Sequence, residues 1–177
     1  MKNCLDIYLQ HHAMTRYDVS KKSGVSEQTL SKASKRNPNT LTAKTLIAIS
    51  KGTGESPGEV LDALLKILES DELYIVTTLV ELRQKINEQE DEFIVRGEYR
   101  ELLKEIENSR LSEESLLGFQ LGSRGMGDLI VWGLNRVRQT LADDPKMEKL
   151  KQDILDLYQL KIMNGTEMKL RLKQLDY

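Results

Sequence analysis

TRYDVSKKSGVSEQTLSKASKR, residues 15–36, reads as two short helices joined by a tight turn. Thr15 stands as the cap of the first helix, and Asp18 three residues later completes a capping box. Val19 and the pair Lys21 and Lys22 carry this helix to Ser23 and Gly24, where glycine tolerates the positive φ of a helix C′ position. Val25 turns inward, and Ser26 caps the second helix. Within that helix Leu30 and Ala33 lie three apart and face the first helix. Gln28, Ser31, Lys32 and Lys35 fall at i, i+3, i+4 and i+7, so they share one long, polar, positive surface. A helix lying in the DNA major groove needs such a surface. The stretch is predicted to be a helix-turn-helix.

The flanks agree with that reading. Leu5, Ile7, Tyr8 and Leu9 make residues 3–12 a short first helix that closes over the motif. His11 and His12 end it, and adjacent helical positions point about 100° apart, so the two are read as surface histidines rather than a metal pair. KRNPNT (35–40) stops the recognition helix, because Pro38 disfavours helical geometry at Asn37. Thr42 caps a helix to about Lys51, with Leu46, Ile47 and Ile49 on its apolar side. After GTGESPGE (52–59), Ser56 as cap and Pro57 at N1 start a fifth helix whose stripe is Val60, Leu61, Leu64, Leu65 and Leu68.

GVSEQTLS (24–31) resembles the recognition-helix start of the lambda-repressor-like, xenobiotic-response-element-type helix-turn-helix family. LDIYLQHHAMTRYDVSKKSGVSEQTLS (5–31) is also similar to the N-terminal domain of the listerial type II-A anti-CRISPR autorepressors. The resemblance covers residues 1–70 and implies a five-helix DNA-binding domain, a bacterial or prophage repressor, and an operator as partner. The polar face of the second helix gives the expected base contacts, Gln28, Ser31 and Lys32, with Glu27 at its start. The resemblance implies sugar-phosphate contacts from Asn39, Thr40, Thr42 and Lys44, and Thr15, Arg16, Lys35 and Arg36 are further expected backbone contacts. Glu27 departs from the family, which often has Gln just after the cap. A carboxylate there suits the helix dipole but not phosphates, unless it accepts from a cytosine amino group.

Charge supports a local footprint. The chain carries a net −2, which taken whole argues against nucleic acid. Residues 1–51, however, hold nine Lys/Arg against Asp6, Asp18 and Glu27, a balance of +6. The remaining 17 basic and 25 acidic residues leave −8 on residues 52–177. Cys4 is the single cysteine, which excludes an internal disulfide and a cysteine-rich zinc site. There is no HExxH, no nearby Cys–His pair and no nucleophile elbow, so no enzyme, metal or cofactor is expected. No apolar run approaches membrane-spanning length, and the chain is read as cytoplasmic.

Residues 71–177 are expected to form a helical dimerisation or partner-binding domain, making the whole chain all-α. Ile75, Leu79, Leu82 and Ile86 are spaced as one seam of a long helix. FIVRG (93–97) has strand composition but is taken as a helix-to-helix connection, followed by a helix with Tyr99, Leu102, Leu103 and Ile106 on one face. GFQLGSRGMG (118–127) has four glycines but not the terminal GK[ST] of a phosphate loop, and reads as a turn with Arg124 its one charge. Residues 128–141 are the most apolar helix, with Ile130, Leu134, Val137 and Leu141 in a stripe beside Trp132, the only tryptophan. Leu150, Ile154, Leu157 and Lys161 continue the heptad spacing after Pro145, and Met168, Leu172 and Leu175 line a short terminal helix past Asn164–Thr166. The seams at Ile75–Ile86 and Leu150–Leu157, with Arg124 and Trp132, are the expected dimer or partner contacts.

Two functions follow from the sequence. One is a homodimeric transcriptional (auto)repressor reading an inverted-repeat operator. The other is an anti-CRISPR-type inhibitor whose acidic C-terminal domain binds a Cas nuclease. If each head of a dimer neutralises roughly three phosphates, the slope of log K against log salt is expected near −5. A titration against duplex DNA over a salt series measures it. A slope near zero excludes the +6 head as a DNA footprint.

Overall fold

The computed structural model describes residues 2–97, 99, 102–104, 106–108 and 145–176. The N-terminal helices form where capping and periodicity place them. They are α1 (Cys4–His11), α2 (Arg16–Ser23), α3 (Glu27–Ser34), α4 (Ala43–Thr53) and α5 (Pro57–Glu69), with a 3-10 turn at Pro38–Thr40. Thr15 and Asp18 form the expected capping box, Gly24 closes α2 at φ +74, and Ser26 caps α3 through the Thr29 amide. Thr42 and Ser56 cap α4 and α5 in the same way. Each cap satisfies amides that a helix start otherwise leaves without partners.

Leu5, Tyr8, Val19, Leu30, Ile49, Val60 and Leu64 make one buried cluster with Cys4, Ile7 and Leu9 of α1. α2 lies against α4, α1 against α5, and α3 against α2 and α1. The α2–α4 approach is close because Gly52 has no side chain: a Cβ there would lie 2.9 Å from Val19 Cγ2 and 3.2 Å from Val19 Cα. Lys2 Nζ closes the end of α5 by donating to the Ser70 carbonyl at 2.6 Å, a cation at the negative end of the helix. The Tyr8 hydroxyl donates to Glu55 Oε2 at 2.7 Å, and burial first of all pushes its pKa up to about 12. His11 pairs with Glu72 and His12 with Glu55, consistent with histidines at a helix end.

The C-terminal part departs from the all-α expectation. Four strands, β1 (Ile75–Val76), β2 (Glu92–Arg96), β3 (Tyr158–Ile162) and β4 (Glu167–Leu172), form one sheet in the order β1-β2-β4-β3. α6 (Leu79–Asn87) and α7 (Pro145–Leu157) pack on each other, and the described residues 99, 102–104 and 106–108 are helical, where a helix is expected. The predicted helix from Ile75 to Ile86 is interrupted because Thr78 forms a capping box with Glu81, leaving Ile75 in β1. FIVRG is a strand: Phe93 and Val95 are buried while Ile94 is half-buried, a period of two.

The predicted terminal helix is instead the second arm of a hairpin. Tyr158 pairs with Leu172, Leu160 with Leu170 and Ile162 with Met168 in antiparallel register. Asn164–Gly165 is a strong hairpin signal between alternating segments, and the 4-3 spacing of Met168, Leu172 and Leu175 competes with it. Alternation wins because Met168, Leu170 and Leu172 are all buried on one face of β4. The heptad spacing likewise fails at Lys161, which is in β3.

Two units are distinguished. The first is Met1–Ile75 with Glu90–Phe93, and the second is Val76–Gln89 with Ile94–Tyr177. Division at residue 70 therefore omits the later segment that belongs with the head. Leu82, Ile86, Leu150 and Ile154, expected as dimer seams, are core residues at 5% exposure or less, and Leu79 and Leu157 are half-buried. Leu103 and Ile106 are also buried. Arg124, Trp132 and the apolar stripe of 128–141 lie outside the described residues. Among the described residues no helix is long and apolar enough to cross a membrane.

Gly52→Ala is expected to cost about 1–3 kcal/mol by overpacking Val19, despite alanine's better helix propensity. A lower denaturation midpoint at unchanged m-value checks it.

Candidate nucleic-acid interface

The two sides of α3 are chemically opposite. Leu30 and Ala33 are sealed into the core. Glu27, Gln28 and Lys32 are exposed, Ser31 is half-buried, and Lys35 is exposed at the C-cap where the helix stops. The first helix thus clamps the apolar edge of α3 and leaves a polar edge outward. Gln28 offers an amide able to pair bidentately with adenine, while Lys32 suits guanine or phosphate. Glu27 sits in the first turn, where a carboxylate is favoured by the helix dipole.

The loop after α3 supplies further donors. Asn37 Oδ1 accepts from the Asn39 amide at 3.0 Å, and Pro38 is buried beneath the turn. Arg36, Asn39, Thr40, Thr42 and Lys44 are all exposed. Thr42 spends its hydroxyl oxygen on the Thr45 amide at 3.2 Å, so its first role is to cap α4. Thr40 donates to the Asn37 carbonyl at 2.8 Å. Both hydroxyls therefore hold the loop shape, and Arg36, Asn39 and Lys44 are the residues reaching outward from it.

Two of the predicted backbone contacts have other work. Arg16 is buried, and its Nη2 donates to Asp6 Oδ2 at 2.9 Å. A guanidinium so placed is spent inside the head and is not an outward phosphate ligand. Asp6 in turn accepts from Asn3 Nδ2 at 2.9 Å. In the structure every residue from Cys4 to Leu9 is buried, so Asp6 requires a buried partner. Thr15 is exposed, but its hydroxyl accepts from the Asp18 amide at 3.2 Å and donates to Asp18 Oδ2 at 2.7 Å.

One exposed feature escaped the sequence reading. Tyr17 is 51% exposed, and Lys21 Nζ stands 5.3 Å from its ring centre, one helical turn on. The i, i+4 spacing of an aromatic and a lysine was the available signal.

An exposed recognition face on a capped two-helix motif, beside a loop of donors, is the geometry of a DNA-reading head. Residues 4–65 match the family model of the Cro/C1-type HTH DNA-binding domain. The match covers the five helices except the last turn of α5 and leaves residues 66–177 outside it. No curated protein matches the chain.

Asp18 lies below its ordinary carboxylate pKa, chiefly because the Thr15 hydroxyl and then the Thr15 amide donate to it. A lowered folded-state pKa adds stability at pH above the ordinary value, and that stability is lost as pH falls through the folded value. Thr15→Ala is expected to cost about 1 kcal/mol at neutral pH and to flatten this acid-limb loss. Denaturation curves at neutral and acidic pH measure both.

Proposed function

We propose that this protein is a dimeric, sequence-specific transcriptional repressor that reads an inverted-repeat operator, including the one at its own promoter. The observation that carries this is the α3 face: Gln28 and Lys32 outward, Ser31 beside them, and Leu30 locked beneath. A single recognition helix spans only a few base pairs. Useful affinity calls for two heads about 34–36 Å apart, one helical turn of DNA. The basic balance of residues 1–51 supplies the attraction, and the acidic remainder keeps the rest of the chain off the duplex. The buried Leu82, Ile86, Leu150 and Ile154 leave dimerisation to other surfaces.

Selection from a random duplex pool with the full chain tests the reading. The expected product is a palindromic site with half-site centres one turn apart, bound at two chains per duplex. Gln28→Ala is expected to relax one position per half-site by about 1–3 kcal/mol. Selected sites without symmetry, or discrimination unaltered by Gln28→Ala, overturn it.

The −8 balance of residues 52–177 supports a second reading, in which the later part of the chain binds a protein that normally holds nucleic acid. A Cas nuclease is the target implied by the anti-CRISPR resemblance. Inhibition of a type II-A nuclease by the full chain carrying Gln28→Ala would separate this activity from repression.

A further inference from the structure

We infer that Glu90 is a positioning residue of the DNA-binding head, holding the start of the helix-turn-helix from a point far along the chain. Glu90 is 7% exposed, and its Oε2 accepts from Asn3 Nδ2 at 2.8 Å. The same nitrogen donates to Asp6 Oδ2, which also accepts from Arg16. An amide nitrogen has two hydrogens, so Asn3 spends one on each carboxylate and is held from both sides. Asn3 Oδ1 accepts from the Asp6 amide at 3.1 Å, making it the cap of α1 as well.

Arg16 is the first residue of α2. The chain Glu90–Asn3–Asp6–Arg16 therefore ties three elements together: the α1 start, the α2 start and the Glu90–Phe93 segment. Phe93, fully buried, anchors the other end of that segment. Gln89, just before Glu90, adopts φ +51, a conformation uncommon outside glycine and asparagine. The backbone accepts that cost where it delivers a carboxylate to Asn3. The matched HTH residues stop at 65, so this part of the head is supplied by sequence beyond them.

The inference rests on the DNA-binding reading only for its affinity measurement, and a second measurement needs no DNA. In the full chain, Glu90→Ala is expected to speed amide exchange in α1 and α2 about tenfold, through loss of its charge-assisted hydrogen bond from Asn3. It is also expected to weaken binding to the selected duplex with an unchanged salt slope, because the phosphate contacts remain. Glu90→Gln keeps an acceptor oxygen for Asn3 Nδ2 without the charge, and should restore both in part, falling between Glu90→Ala and wild type. Should Glu90→Ala fail to fold, Glu90→Asp, which withdraws the carboxylate by one methylene, is read in the same way. Exchange raised evenly across both units, or α2 exchange equal to wild type, overturns the inference. If the wild type selects no duplex, the exchange pattern still decides the role of Glu90.

Discussion

Burying a guanidinium is the constraint on which the head depends. Arg16 is 8% exposed, and a charge so placed is tolerated only when an opposite charge and hydrogen bonds accompany it. Asp6 provides the charge, and Asn3 orients Asp6. Asn3 can do so because it is fixed as the α1 cap and by Glu90. Such a network contributes little net stability against an apolar core of the same shape, but removing one member strands the others. It joins the start of α2 to the start of α1 through Arg16, Asp6 and Asn3.

The rest of the head translates that junction into a surface. Val19 against Gly52 brings α2 onto α4 at a distance that a Cβ at residue 52 would crowd. Leu30, fully buried, then has one orientation, and the polar edge of α3 is turned outward by default. Caps complete the arrangement. Thr15, Ser26, Thr42 and Ser56 each satisfy a helix start, so the threonines that resemble phosphate ligands are first of all structural. Outward chemistry is left to Gln28, Lys32, Arg36, Asn39 and Lys44.

The second unit obeys a different logic. Among its described residues, Leu82 and Ile86 on α6 and Leu150 and Ile154 on α7 are buried in its own core. The hairpin of β3 and β4 buries Tyr158, Met168 and Leu170 on one face and keeps Gln159, Lys161 and Arg171 exposed. A helical seam and a core-facing stripe have the same spacing, so periodicity does not distinguish a dimer contact from a residue packed inside its own chain.

Within residues 15–36 local chemistry is sufficient. Capping pairs, a glycine at positive φ and a two-residue apolar edge are interactions between near neighbours, and each forms wherever the chain folds. The helix-turn-helix and its outward face were therefore determined by sequence alone. Arg16 shows the limit: its residue type and position suit a phosphate, and only the fold brings Asp6 to it. Glu90 is further still, since no local pattern joins it to a residue 87 positions earlier. At 158–172 the sequence held both a heptad spacing and an alternation flanking Asn-Gly. Only tertiary burial of Met168, Leu170 and Leu172 on one sheet face chose between them, because burial is a property of what lies opposite and not of the strand itself.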